Sequence, residues 1–184
     1  MAILKVARMG HPVLRNVSRE LTREEIMSDE IRQLIVDLAD TLEEYDGIGL
    51  AAPQVHVNVQ LCIVHVSENN PRYDVKEALP LQVICNPKIT PIGDGAEEMW
   101  EGCLSVPGMR GLVRRPKRIR LEALDGNANP ISWELDGLAA VVVQHETDHL
   151  FGTLYVDKLV DPKHFSFLEE YQRYWQPKTQ ELPD

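Results

Sequence analysis

The sequence lacks the features of a membrane or secreted protein. Its 184 residues contain no apolar run approaching the roughly 20 residues that cross a bilayer. Residues 1–8 show neither the long apolar segment nor the small-residue cleavage site of a secretory signal. The three cysteines, Cys62, Cys85 and Cys103, are odd in number and widely spaced, which argues against a disulfide framework. These absences predict a protein of the reducing cytoplasm with no membrane partner.

Positive charge is also scarce. Nineteen Lys and Arg residues stand against twenty-nine Asp and Glu, a formal net charge of −10. Binding to DNA depends on clustered Lys and Arg that neutralise phosphates, so this balance argues against a DNA-binding protein. The densest basic run covers residues 114–118, and a solvated strand edge explains it at least as well as a binding patch does.

Apolar periodicity predicts helices in three places. Between Ser28 and Tyr45, five apolar residues recur at helical spacing and predict an amphipathic helix, which Asp46-Gly47 is predicted to end. A second helix is predicted from an N-cap at Asp136 to about Phe151, before Gly152. A third is predicted over about 162–175, and the polar tail after 177 is expected to be flexible.

Four short segments between these helices are rich in β-forming residues. They cover residues 59–66, 81–86, 118–123 and 131–135. The last two flank the turn sequence of 125–130 and predict a hairpin. We find no internal repeat or long linker, so residues 1–184 are predicted to form a single α+β domain. Its antiparallel or mixed sheets would pack around the helix of 136–151, with one helix before it and one after it.

That central helix carries the sharpest chemical signal, an H-E-x-x-H motif at residues 145–149. Residues four apart lie on one face of a helix, so His145 and His149 can bind one cation. Glu146 lies about 100° round the helix, from where it can take a proton from water that the cation activates. A random chain of this composition shows the motif roughly 2% of the time. The metal-binding interpretation is therefore favoured over chance.

The same helix indicates what the site accommodates. Leu138, Val141 and Val142 continue the face of the two histidines one turn earlier. Such a stripe is most often core, but its last members beside the metal could also line a pocket for an apolar side chain.

Two histidines do not complete a metal site, and the sequence offers alternatives for the third ligand. One type of zinc protease extends the motif to a third His, but that position is Tyr155 here. Another type uses a Glu about twenty residues downstream, for which Glu169 is the candidate and metallopeptidase activity the consequence. Upstream, Cys103 could supply a thiolate, although a free Cys is most often a small buried hydrophobic residue.

Three segments together resemble the signature motifs of the peptide deformylase family, bacterial in type. They are Gly-Ile-Gly-Leu-Ala-Ala-Pro-Gln at 47–54, Glu-Gly-Cys-Leu-Ser at 101–105 and Gln-His-Glu-Thr-Asp-His-Leu at 144–150. They occur in the family's order, and the resemblance extends from Met9 to about Asp157. It implies a metal-dependent amide hydrolase that removes the N-formyl group from the N-terminal methionine of nascent proteins and releases formate.

The resemblance also implies roles for residues. Cys103, His145 and His149 would bind one divalent ion, typically Fe²⁺, for which Zn²⁺, Ni²⁺ or Co²⁺ can substitute. Glu146 would be the general acid/base, while Gln54 and the Leu104 N–H would stabilise the oxyanion. The substrate would contact Gly47, Ile48, Gly49, Leu138, Val141 and Val142, with Met99 nearby. Glu101 and Arg110 would form an ion pair that supports the Cys103 loop, although Arg110 could equally be a surface charge.

The partners implied are formyl-methionyl nascent peptides and, from that substrate, a transient contact with the ribosome. A protein that keeps the fold without activity is a further alternative. Nothing in the sequence favours it, because every residue that the chemistry needs is present.

Overall fold

The computed structural model describes residues 2–66 and 79–176. The helices are α1 (Arg23–Ile26), α2 (Asp29–Glu44), α3 (Gly137–Leu150) and α4 (Leu168–Tyr174). The strands are β1 (Gly49–Ala51), β2 (Leu61–Val66), β3 (Leu79–Pro91), β4 (Ala96–Cys103), β5 (Val106–Pro116), β6 (Arg118–Leu124), β7 (Pro130–Asp136) and β8 (Phe165–Phe167). Short 3₁₀ turns occupy Pro12–Arg15, Ala52–Val55, Tyr155–Lys158 and Pro162–His164. The predicted flexible tail after 177 lies outside the described residues.

The strands form two antiparallel sheets, which confirms the α+β prediction. The larger sheet has the order β1-β2-β3-β6-β7, and the smaller one has the order β4-β5-β8. The predicted hairpin is present as β6 and β7, which pair from Arg118–Asp136 to Leu124–Pro130. That the whole chain forms one domain remains a prediction.

The centre of the larger sheet is covered on both faces. Along β2, Leu61 and Ile63 pack into the cluster that contains α2, whereas Cys62 and Val64 pack into the cluster that contains α3. Successive strand residues point to opposite faces, so a strand covered on both faces is apolar throughout. This explains why residues 61–64 of β2 form a continuous apolar run in the sequence.

The amphipathic helix predicted from Ser28 is confirmed as α2. The Ser28 hydroxyl accepts a hydrogen bond from the Ile31 N–H at 3.3 Å, the expected N-cap contact. At the other end, the left-handed residue is Asp46 (φ 50°), not Gly47 as the sequence suggested. Aspartate tolerates this conformation better than most residues, so a glycine is not required there.

The central helix is confirmed as α3, which packs against β1, β2 and β7. No helix within the described residues is long and apolar enough to span a membrane.

The predicted helix over 162–175 is only partly correct. Residues 165–167 extend as β8 and pair with Met109–Gly111 of β5, so α4 begins only at Leu168. Pairing with an available strand edge outweighed the helical spacing of the aromatic residues. Strands β4 and β5, which together build most of the smaller sheet, were not predicted.

Candidate metal centre and substrate cleft

Helix α3 presents both histidines of the H-E-x-x-H motif towards the smaller sheet. His145 and His149 are buried, with ring centroids 5.1 Å apart. Burial and the nearby cationic side chains lower the pKa of His149 well below its ordinary value, which keeps its ring neutral. A neutral imidazole is the form that binds a metal.

The third donor comes from the last residue of β4. The Cys103 Sγ lies 3.3 Å from His149 Nε2. The donor atoms of Cys103, His145 and His149 all lie within 4.8 Å of one another, a cluster that can hold one metal ion. A thiolate with two imidazoles and one open position is a typical donor set of a catalytic zinc-like site. Glu169, the alternative ligand, is exposed on α4 and does not belong to this cluster.

His145 is oriented by a buried carboxylate. Glu101 Oε2 lies 2.7 Å from His145 Nδ1, which leaves Nε2 free to face a cation. Burial alone would raise the pKa of Glu101, but the hydrogen bonds from Arg115 and His145 outweigh it and hold that pKa at about 2. Glu101 is therefore a permanent carboxylate in the interior.

The predicted ion pair between Glu101 and Arg110 is wrong, because the partner is Arg115. Arg115 Nη2 donates to Glu101 Oε2 at 2.9 Å, and its Nη1 donates to Asp148 Oδ2 at 2.8 Å. Glu101 is directly opposite Gly111 in the ladder, so it shares a sheet face with residues an even number away from 111. Arg115 satisfies this alternation and Arg110 does not. Arg110 Nη1 instead donates to the Met109 carbonyl at 3.0 Å.

Glu146 has the environment of a group that exchanges protons near neutral pH. It is buried, and its Oε2 has no hydrogen-bond partner within residues 2–66 and 79–176. Burial raises its pKa to about 7. The carboxylate lies so close to Gly49 that any Cβ there would collide with it. The glycine therefore provides room for the carboxylate at the edge of β1.

Gln54 reaches the metal cluster from the 3₁₀ turn that follows β1. Its Oε1 accepts a hydrogen bond from the Ala51 N–H at 2.8 Å, which fixes the orientation of the amide. Its Nε2 donates to Ser105 Oγ at 3.1 Å and lies 3.5 Å from Cys103 Sγ. An oriented amide donor thus stands beside the thiol, although Ser105 was not predicted.

All the predicted site residues except His149 line one cavity of about 890 Å³. The cavity lies between the outer edge of β1 and the outer edge of β4, which belong to different sheets. The aliphatic stripe of Leu138, Val141 and Val142 forms part of its wall, and Val142 also packs in the core. The stripe therefore contributes both to the core and to the wall of the cavity.

Sequence reasoning overlooked Arg115 and Tyr155. The signal for Arg115 was the alternation of Gly111, Val113 and Arg115, all of which are buried on one side of β5. Arg115 belongs to the basic run that was interpreted as a solvated edge, and for this residue that interpretation is wrong. Tyr155 is buried and stacks its ring on His145 with centroids 6.0 Å apart. In the sequence, Tyr155 was noted only because it occupies the position where one type of zinc protease has a third His.

Comparison with known proteins gives one consistent result. A family model described as polypeptide deformylase matches residues 3–165. A peptide deformylase of Leptospira biflexa is 44% identical over 170 residues, which are 92% of this chain and 95% of the relative. Peptide deformylase 1 of Prochlorococcus marinus is 44% identical over 173 residues, covering 94% of this chain and 88% of the relative.

Solved structures agree. A class I type b peptide deformylase from Acinetobacter baumannii, bound to Met-Ala-Ser, superposes with a TM-score of 0.82 at 34% identity, covering 86% of this chain and 99% of that one. A peptide deformylase from Synechococcus elongatus in complex with actinonin gives a TM-score of 0.76 at 37% identity, covering 92% of this chain and 85% of that one.

Proposed function

The chain belongs to the polypeptide deformylase family, and from this premise we propose which of its residues carry out the family's reaction. The reaction is the metal-dependent hydrolysis that removes the N-formyl group from formyl-methionine at the start of nascent proteins and releases formate. The observation that carries the assignment is the cluster of Cys103, His145 and His149, with Glu146 buried beside it.

Cys103, His145 and His149 hold the metal ion. Support comes from the mutual distances of their donor atoms and from Glu101, which engages the far nitrogen of His145. A bound divalent cation supplies Lewis acidity, which polarises a carbonyl and makes water a stronger nucleophile at neutral pH. The native ion is Fe²⁺, and Zn²⁺, Ni²⁺ or Co²⁺ can replace it, since thiolate and imidazole donors suit all four.

Glu146 moves the protons. It accepts one from the attacking water and returns it to the departing α-amine of methionine. Burial raises its pKa to about 7 in the metal-free protein, so this carboxylate holds a proton closer to neutral pH than an exposed glutamate does. The carboxylate lies against the edge of β1, where the formyl end of a peptide would enter.

Gln54 and the Leu104 N–H stabilise the oxyanion that develops on the formyl oxygen. The support for Gln54 is its oriented amide, 3.5 Å from the Cys103 Sγ. Donors fixed before the reaction stabilise charge at no cost of reorganisation. Leu104 follows the metal-binding cysteine and lines the cavity.

The substrate lies as an added strand along the edge of β1, with its methionine in the aliphatic pocket. The pocket is lined by Ile48, Leu138, Val141 and Val142, while Gly47 and Gly49 let the peptide backbone approach. An open strand edge pairs readily with an extended peptide.

The decisive experiment measures formate release from formyl-Met-Ala-Ser by protein loaded anaerobically with Fe²⁺ or Ni²⁺. We expect release by the wild type and a loss of several orders of magnitude in Glu146→Ala with metal content unchanged. Cys103→Ser should lose metal, whereas Glu169→Ala should retain both metal and activity. Formate release by Glu146→Ala at the wild-type rate would overturn the assignment of the general base.

The place of action follows from the substrate. Formyl groups occur on nascent chains, so the protein works in the cytoplasm and contacts the ribosome transiently. Cosedimentation with ribosomes that carry a stalled formyl-methionyl chain tests this. Equal recovery with and without such ribosomes would argue against the contact.

A further inference from the structure

A buried serine that does not line the cavity contacts a residue proposed to stabilise the oxyanion. Ser105, two residues after Cys103, is fully buried and is not part of the cavity wall. Its Oγ accepts a hydrogen bond from Gln54 Nε2 at 3.1 Å. A side chain that cannot touch the substrate can still act on the reaction by fixing one that does.

The contact with Ser105 completes the fixation of the Gln54 amide. The Ala51 N–H donates to Gln54 Oε1 at 2.8 Å, and Ser105 Oγ takes one of the two protons on Nε2. The amide is therefore held through both its oxygen and its nitrogen. The second proton on Nε2 is left for the formyl oxygen, which is the donor that the proposed function requires.

Without the serine hydroxyl, the amide would have a competing acceptor. Cys103 Sγ lies 3.5 Å from Gln54 Nε2, against 3.1 Å for Ser105 Oγ. A thiolate carries negative charge and attracts N–H donors strongly. An amide that turned towards the sulfur would leave the orientation in which it can donate to the formyl oxygen. The hydrogen bond to Ser105 opposes this rotation.

The backbone of Ser105 is tied to the same part of the site. Its N–H donates to Cys103 Sγ at 3.4 Å, and its carbonyl accepts a hydrogen bond from the Met9 N–H at 2.7 Å. The Ala7 N–H donates to the Gln54 carbonyl, also at 2.7 Å. The N-terminal segment therefore bridges Gln54 and Ser105, which come from different parts of the chain. This bridge holds the hydroxyl in place beside the amide that it contacts.

We infer that Ser105 is a positioning residue for the hydrolysis, whose hydroxyl holds the Gln54 amide in the orientation that donates to the oxyanion. The inference rests on the proposed function, because the oxyanion role of Gln54 belongs to it. Donors oriented before the reaction stabilise the transition state, so loss of the orientation should lower kcat rather than raise KM.

A double-mutant cycle separates this role from a purely structural one. We would measure kcat and KM for formyl-Met-Ala-Ser with the wild type, Ser105→Ala, Gln54→Ala and the double variant, each normalised to bound metal. Ser105→Ala should lower kcat about 10- to 100-fold, somewhat less than the loss of an oxyanion donor outright, and leave KM within about twofold. In the Gln54→Ala background, the same substitution should change kcat by less than about twofold. Ser105→Thr, which keeps the hydroxyl, should retain most of the wild-type kcat.

A second measurement reads the hydrogen bond without using activity. In isotope-labelled protein loaded with Zn²⁺, the side-chain amide signal that is missing from the NMR spectrum of Gln54→Ala identifies this group. Its protons should exchange with solvent at least about tenfold faster in Ser105→Ala than in the wild type, because the bond that protects them is lost.

Ser18→Ala is the matched control, because Ser18 is also buried and its Oγ donates to Asn58 Oδ1 at 3.1 Å outside the cavity. It should keep the wild-type kcat. An equal loss of kcat from Ser105→Ala in both backgrounds, an unchanged kcat or an unchanged amide exchange would overturn the inference. A wild-type kcat in Gln54→Ala would contradict the oxyanion role and the inference with it. Inactivity of the metal-loaded wild type would instead contradict the proposed function, while amide exchange would still report whether Ser105 orients Gln54.

Discussion

The two long helices of the molecule are similar in length but opposite in design. Helix α2 has 16 residues, of which only Ile31, Leu38, Thr41 and Leu42 are buried, and its first turn is capped by Ser28. Helix α3 has 14 residues, is buried almost all round, and its N-cap residue Asp136 makes no side-chain capping bond. Helix α2 is stabilised by its N-cap and its apolar stripe, whereas α3 depends on packing against the rest of the fold.

The two helices also differ in the polar side chains that they bury, which are concentrated in α3. Four polar residues of α3 in succession, from Gln144 to Thr147, are buried. Burying such groups costs free energy unless each finds a partner. Glu101 and Arg115 provide partners for His145 and Asp148, but Glu146 Oε2 has none within the described residues. The candidate metal ligands His145 and His149 thus lie in the less locally stabilised of these two helices.

The largest loss of stability is expected when Arg115 is replaced, because this side chain neutralises Glu101 next to α3. Arg115→Met should lower the free energy of unfolding by about 3–5 kcal/mol, because a buried carboxylate loses its partner. Urea denaturation would measure this, and the metal content should fall as His145 loses its fixed orientation. The neighbouring Arg114→Met, at an exposed position of β5, should stay within about 0.5 kcal/mol of the wild type. Equal effects would mean that the buried ion pair is not what supports α3.

Truncating a core side chain of α2 should lower stability without lowering kcat/KM. Leu38 is fully buried, so Leu38→Ala should cost about 2–5 kcal/mol of stability through lost burial and a cavity. The folded fraction should keep wild-type kcat/KM, since α2 lies on the sheet face away from α3. Val36→Ala, at an exposed position of the same helix, is the control. A large fall in kcat/KM of the folded protein would show that the two helices are coupled.

Glu146→Gln should change stability in the opposite direction, and only at higher pH. In the metal-free fold the pKa of Glu146 is raised to about 7 from an ordinary value of 4.5. The stability associated with its protonated form is present below pH 4.5 and is lost as pH rises through 7, an effect of up to about 3 kcal/mol. The variant cannot ionise, so it should be more stable than the metal-free wild type at pH 8 and similar to it at pH 4.5. Denaturation of both proteins at these two pH values tests it, and an identical pH dependence would contradict the raised pKa.

The smallest changes in stability are expected at the N-termini of helices α2 and α3, which differ in capping. Ser28→Ala removes a capping bond from α2 and should cost about 1 kcal/mol. Asp136→Ala removes no such bond from α3 and should stay within about 0.5 kcal/mol. Thermal unfolding of both variants gives the comparison. A larger loss in Asp136→Ala would show that α3 also depends on a local signal.

Sequence patterns predicted the parts of the fold that are locally encoded. Helix α2, helix α3 and the β6–β7 hairpin carry their periodicity and turn residues within one segment. Strands β4 and β5 do not, because their buried positions include the charged residues Glu101 and Arg115, which interrupt the apolar alternation that marks a strand. The start of α4 at Leu168 depended on a strand edge more than fifty residues away, which no local pattern reveals.

The residues of the candidate site were likewise predictable only where they lie within one local segment. His145, Glu146 and His149 share one helix, so their spacing alone predicted a metal. Cys103 was only one of several possible third ligands until its family motif was considered. The Glu101–Arg115 pair depended on which face of the smaller sheet each residue occupies, and neither β4 nor β5 was predicted.

The metal cluster also constrains when the protein can acquire its ion. Its donors come from Cys103 and from a helix more than forty residues further along the chain, and Gln54 approaches from a third segment. Contacts of such high sequence separation form late in folding, because the loops between them must close first. A chain that has emerged only as far as β7 holds one ligand of three. With these three ligands, metal uptake would be coupled to completion of the tertiary fold.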